Sequence, residues 1–397
     1  MRKILYYKAY VYLLAWCIYN AQGIIFPRGS AFTQLLVLVL LLTSLYYIFV
    51  ANTRYKLPVY FVGLNILLGL FTVYGVYLMI GGYDPLDYAK PVDSFNYLKK
   101  ILISLTPVYA FYVFSKEGLI TERGIRNCFF ILFGLTIANY YQKYQEMLYW
   151  AMLIGSNAEE FTNNVAYDFL SLIPFGVFFY RKVLMQYIVL GCCMLFLFMA
   201  MKRGAVLIGF LCFFLFIWKT MSEASLKKKM VVLFLSVILS VMGGLFVERQ
   251  MQESSYFHKR VEDTLNGNSS NRDKLYVHFA NYVWNETTPL QFVFGSGANA
   301  TLKVFFNYAH NDWLEIAVNQ GVLGILFFIV YWVLFAKTAM SRSFGPHEKL
   351  AMQIIWVAFF MRTFFSMSYG SMGYIPMMIL GFCLSQEKKN EQIVNCN

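Results

Sequence analysis

The chain has 397 residues, of which 59% are apolar and only 14% charged, and its mean hydropathy is +0.54. A soluble domain carries roughly 25% charged residues, so this composition excludes an ordinary soluble enzyme and points to a protein that acts at a bilayer. The net charge of +12 has no soluble basic domain to carry it, so no nucleic-acid partner is expected. It reads either as cytoplasmic loop charge that orients helices or as attraction for an anionic, phosphate-bearing lipid.

A spanning helix needs about 20 mostly apolar residues. The N-terminus begins MRK and runs directly into apolar sequence with no small-residue cleavage site, so the first run is read as a retained helix rather than a signal peptide. Apolar runs fall at about 4–26, 31–51, 57–80, 100–115, 125–142, 165–180, 183–201, 203–219, 230–247, 312–336, 349–367 and 371–386. The stretch Tyr140–Trp150 (YYQKYQEMLYW) is polar enough to lie at the interface. Only Lys202 and Arg203 divide the seventh run from the eighth. The expectation is an all-α polytopic membrane protein with about twelve transmembrane helices, forming a single membrane domain over 1–397. The seven cysteines show neither zinc spacing nor a loop pair for a disulfide, and read as apolar filler.

Orientation follows the basic residues. With the N-terminus inside, the cytoplasmic segments hold Arg2/Lys3, Arg54/Lys56, Lys116/Arg123/Arg126, Arg181/Lys182, Lys219/Lys227/Lys228/Lys229, Lys337/Arg342/Lys349 and Lys388/Lys389, which is 18 of the 33 Lys and Arg. The one large extramembrane segment, 248–311, then faces the periplasm. It contains His258, His278 and His310, whose spacing matches no common metal site, and a turn-like NGNSSN tract at 266–271. The outer segment before it, Asp84-Pro85-Leu86-Asp87, carries the carboxylates best suited to a metal-dependent alternative, or is a solvated loop.

Three clusters could carry chemistry. Lys202-Arg203-Gly204 places two cations between apolar runs, where they either snorkel or meet an anion, and Gly204 allows close approach. Arg272, in Ser270-Asn271-Arg272-Asp273-Lys274, opens an amphipathic stretch. It is either a charged helix start or a guanidinium for bidentate phosphate contact. The third cluster runs Tyr308-Ala309-His310-Asn311-Asp312-Trp313-Leu314-Glu315 and on to Asn319-Gln320-Gly321. Asn311 or Asp312 can cap the helix that follows. His310 then sits at the outer mouth of that helix, where a neutral imidazole suits proton abstraction. Glu315 and Asn319, four apart, share a helix face. Upstream, Phe294-Gly295-Ser296-Gly297 supplies a glycine-rich turn.

In order, KRGA at 202–205, NRDK at 271–274, FGSG at 294–297 and AHNDWLEIAVNQGVLG at 309–324 resemble the O-antigen ligase and O-antigen polymerase (Wzy) superfamily of bacterial membrane glycosyltransferases. The likeness in motif covers about 200–335, and Lys202 stands where such proteins more often show a small polar residue. The resemblance implies a GT-C-like fold, an inner-membrane location, a site facing the periplasm, and a donor glycan on undecaprenyl diphosphate. Arg203 and Arg272 would hold the diphosphate and His310 would activate or position the acceptor hydroxyl. Lys202, Asn311, Glu315, Lys274 and Arg249 are the further substrate-binding candidates. No metal or cofactor is expected. The expected partners are the lipid-linked oligosaccharide, membrane lipid and a chain-length regulator. Polymerase is the leading reading, with ligase second and a lipid-linked sugar flippase as the non-enzyme alternative.

Overall fold

The computed structural model describes residues 2–27, 29–81, 94–154, 164–200, 202–223, 225–253, 258, 262, 272–305, 307–368 and 373–387. Asp84, Asp87, Ser255, the 266–271 tract, Lys388 and Lys389 lie outside them. The described residues are mostly helical, joined by turns and short extended connections, with no named strand among them. The N-terminal half comprises α1 (Arg2–Asn20), α2 (Ala31–Arg54), α3 (Val59–Ile80), α4 (Ser94–Leu105), α5 (Pro107–Lys116), α6 (Glu122–Ile154) and α7 (Ala166–Leu172), which tightens into a 3-10 helix over Ile173–Phe179. Then follow α8 (Val183–Met199), α9 (Arg203–Glu223) and α10 (Leu226–Glu253). The loop elements are α11 (Arg272–Asn281), a π turn (Tyr282–Glu286), α12 (Pro289–Phe294) and α13 (Thr301–Val304). The last three helices are α14 (Asp312–Met340), α15 (Pro346–Phe365) and α16 (Tyr374–Ser385).

Each of the twelve apolar runs contains a helix. Six helical stretches are long and apolar enough to cross a bilayer by length and composition: α2, α3, α4 with α5, α9, the body of α10, and α14. The protein is therefore an all-α, multi-pass membrane protein. Two boundaries differ from expectation. The interfacial stretch Tyr140–Trp150 is not separate but continues α6, which has 33 residues; no proline or glycine after Gly134 interrupts it, and Lys143 pairs with Glu146 one turn on. The run at 100–115 breaks at Thr106, where Pro107 restarts the helix as α5.

The core is built around α16, which is buried along its whole length and packs on α5, α15 and α4. Beside it α14 lies against α3 and α15, and α15 against α9. Aromatic rings fill these contacts: Trp16 stacks on Tyr374, and Tyr60 meets Phe335 at 4.9 Å. By contrast α2 and α10 keep most of their apolar surface exposed, as lipid-facing helices do. The cysteines among the described residues are free, and Cys17 and Cys128 meet thiol to thiol at 3.4 Å between α1 and α6.

Candidate active site

Functional groups collect where α7, α9, α11, α14 and α15 meet. Lys202 is the residue before α9, and its carbonyl accepts the first helical N–H, from Val206. Only residues 200–202 separate α8 from α9 along the chain. A Cβ on Gly204 would lie 3.0 Å from Phe365 Cβ and 3.5 Å from the Tyr167 hydroxyl, so glycine there lets α9 close on α15.

Tyr167 is the plate around which cations gather. The Arg362 guanidinium lies 4.2 Å from its ring centroid and the Lys202 ammonium 5.2 Å, both within cation–π range. The Lys202 ammonium also donates to Asn164 Oδ1. Arg272, at the start of α11, donates from Nη1 to the Phe365 carbonyl at 2.8 Å, at the C-terminal end of α15 where a cation is favoured. Burial pushes Lys202 down to about 8, and the like charges of Arg272 and Arg362 push the same way. Asp168 and Asp312 act on Arg362 with opposite charge. The Asp312 carboxylate is itself engaged by the Ser368 N–H (2.8 and 2.9 Å) and hydroxyl.

One turn after Arg272, on the same face, the Tyr276 hydroxyl reaches the Phe364 carbonyl at 3.4 Å and the His310 carbonyl at 3.5 Å, with Asn311 and Arg272 alongside. Tyr276 therefore joins the cation cluster to the histidine segment. His310 adopts φ +53°, a left-handed conformation uncommon for a residue with a side chain. Both flanks hold it there. Before it, the Ala309 N–H donates to Glu315 Oε1 at 2.5 Å. After it, Asn311 caps α14 by accepting from the N–H groups of Trp313 (3.0 Å) and Leu314 (3.2 Å).

Glu315 belongs to a buried clasp. Its Oε2 accepts from the Thr301 hydroxyl at 2.8 Å and the Asn319 amide at 3.5 Å, while Asn319 Oδ1 accepts the Thr301 N–H at 3.2 Å. Just beyond, α14 breaks at Gly321 (φ 64°, ψ −160°). The break frees two carbonyls, and the glycine-rich turn satisfies them: Ser296 N–H donates to Val318 O at 2.8 Å and Gly297 N–H to Asn319 O at 3.0 Å. The motifs FGSG and NQG, read separately in the sequence, thus form one interlocked unit.

The sequence candidates accordingly divide. Lys202, Arg272, Asn311 and the His310 backbone come together, and Arg203 opens α9 next to Lys202, half-buried. Asn311 and Glu315 are spent on backbone and side-chain groups of the protein. Lys274 is exposed on a different side of α11, in a shallow groove with Asp273, Val277, His278 and Asn281. Arg249 is exposed on α10, whose main packing is against α8 and α9. None of the contacts described above reaches either residue. No group of three His, Cys, Asp or Glu side chains suited to a metal forms among the described residues.

Three participants escaped the sequence reading: Tyr167, Tyr276 and Arg362. Arg362 did carry a signal, being an ionisable residue inside the apolar run 349–367, where such residues are costly and mark functional positions. The tyrosines carried none, in a chain with 30 of them.

Residues 188–329 match the family model described as O-Antigen ligase. The match supports the O-antigen polymerase/ligase superfamily. Its span takes in Lys202, Arg203, Arg272, the FGSG turn, His310 and the break at Gly321. Tyr167 and Arg362 fall outside it, on helices packed against it. No curated protein matches the chain.

Proposed function

We propose that the protein is a surface-polysaccharide polymerase of the inner membrane. It transfers a glycan from undecaprenyl diphosphate onto a lipid-linked repeat unit at the periplasmic face. Lys202 and Arg362 converge over Tyr167 with the charge of Arg272 beside them, and Tyr276 links that cluster to the His310 carbonyl, which supports this reading. In this reaction the acceptor hydroxyl loses its proton to His310 and its oxygen attacks the anomeric carbon of the donor. The bond from that carbon to the diphosphate oxygen breaks, and undecaprenyl diphosphate leaves as an anion. Such a step needs a base near neutral pH and fixed positive charge where the leaving group gains its own. Arg203 and Arg272 supply forked donors for the diphosphate, and Lys202 adds a third charge.

The ligase reading, in which finished polymer moves to lipid A-core, uses the same chemistry and has the description of the matched family model in its favour. Purified protein given only carrier-linked repeat units separates the two. A polymerase lengthens them into a ladder. A ligase leaves their length unchanged and consumes them only when lipid A-core is added, which would overturn the proposal.

A further inference from the structure

We infer that α12 lies within the bilayer interface, on the side of the 248–311 segment, with Trp284, Leu290, Val293 and Phe294 in contact with lipid hydrocarbon. The segment was expected to be wholly extramembrane, but α12 packs well below the ends of the helices that flank it. A Cβ on Gly321 would lie 2.5 Å from Gly295 N, 2.6 Å from Val293 O and 2.7 Å from Phe292 O, so α12 abuts α14 at its break. Gly321 comes nine residues after Asp312, about 13 Å along the axis at 1.5 Å per residue. On the other flank the Tyr74 hydroxyl donates to the Phe294 carbonyl. Tyr74 is six residues short of the end of α3, about 9 Å below it. With 22 residues, α3 is about 33 Å long, barely more than a hydrocarbon core of about 30 Å. Tyr74, and with it the end of α12, therefore lies at or inside the hydrocarbon boundary.

The surface of α12 has the chemistry for that depth. Leu290 is 69% exposed and Trp284 73% exposed, and Val293 and Phe294 are also exposed. On α3, Val73 and Tyr77, which flank Tyr74 in the helix, are exposed apolar residues as well. The backbone is also suited to low dielectric. Pro289 has no N–H to satisfy, Thr288 and Gln291 form a capping box, Gly295 N–H closes onto Gln291 O, and Tyr74 takes the Phe294 carbonyl. A short helix with an apolar outer face and a tryptophan beside it is how interfacial segments anchor.

The test is site-directed spin labelling of the full chain in lipid vesicles, with Cys192 and Cys396 replaced by serine. Labels go at Leu290→Cys and Val293→Cys on α12, at Val73→Cys as the lipid reference, and at Asn281→Cys as the aqueous reference. Collisional relaxation by oxygen, which partitions into hydrocarbon, is compared with relaxation by a water-soluble nickel chelate. The expected oxygen-to-nickel ratio at both α12 positions is within about twofold of Val73→Cys and at least about fivefold above Asn281→Cys. Ratios at both positions equal to that of Asn281→Cys would place α12 in water and overturn the inference. All four residues are surface residues, so the labelled chains are expected to keep the native fold.

Discussion

The left-handed backbone of His310 costs of order 1–3 kcal/mol, and Glu315, Asn311 and Tyr276 hold it. Strain maintained by so many contacts fits a side chain aimed for a task. His310→Ala is expected to lower transfer by about 10²–10⁴-fold while donor binding persists; single-turnover rates with a parallel binding measurement check both halves. Lys202 gives a pH signature. Its pKa is lowered to about 8, so the folded state disfavours the charged form, and the charge is lost as pH rises through about 8. An ordinary lysine keeps its charge to roughly 10.4. Donor affinity is therefore expected to weaken between neutral pH and pH 9. Lys202→Arg, which stays charged, should flatten that decline in a titration of donor binding against pH. At this scale the sequence showed the residues whose order makes a motif. It did not show Tyr276 or Tyr167, because a tyrosine near a helix end in a membrane protein looks the same whether it meets headgroups or organises a site.

The broken helix α14 explains why two glycine motifs far apart in the chain belong together. Gly295 and Gly321 face each other: a Cβ on Gly295 would come within 2.3 Å of Asn319 O, and both residues have positive φ. Gly321→Ala is expected to lower both activity and thermal stability in detergent, since it adds a backbone collision to a conformation that favours glycine. A stable, fully active Gly321→Ala protein would count against the interlock. Glu315 tests the same element differently. Glu315→Ala strands the buried Thr301 hydroxyl and Ala309 N–H, at about 1–3 kcal/mol each. Glu315→Gln can still accept from Ala309 N–H and bond Thr301, and is expected to retain most of the melting temperature and activity. If Gln is as damaging as Ala, the carboxylate charge itself is needed, and the clasp does not describe its role. The helix over 312–336 was legible in the sequence from its hydropathy, but its break was not. Glycine is frequent in membrane helices, and only the docking of Ser296 and Gly297 reveals that Gly321 leaves the helical conformation. The overlong α6 was missed for the opposite reason: Tyr140–Trp150 is polar enough to suggest an end, yet has no residue that stops a helix.

Across the whole molecule, the apolar runs located the helices because a bilayer demands long, internally bonded segments. They could not reveal that the short α16 is the buried centre, since a run facing protein and a run facing lipid are equally apolar. Orientation rests on the basic residues. Ser225→Cys, between α9 and α10, is expected to resist an impermeant thiol reagent in intact spheroplasts, while Ser255→Cys labels. The reverse pattern would invert the topology. Since arginines and a lysine can neutralise the diphosphate, turnover is expected to survive EDTA; loss on chelation with rescue by a divalent ion would require another mechanism. If the cation cluster and His310 polymerise lipid-linked glycan, a gel of surface lipopolysaccharide shows it in the length of the chains. It compares cells lacking the protein with the same cells producing either the native protein or a stable, membrane-inserted His310→Ala variant. Single repeat units on lipid A-core are expected in the deletion and the His310→Ala strain, and a full ladder with the native protein. A normal ladder from His310→Ala would contradict the site, and a bare core with polymer left on the lipid carrier would contradict the polymerase.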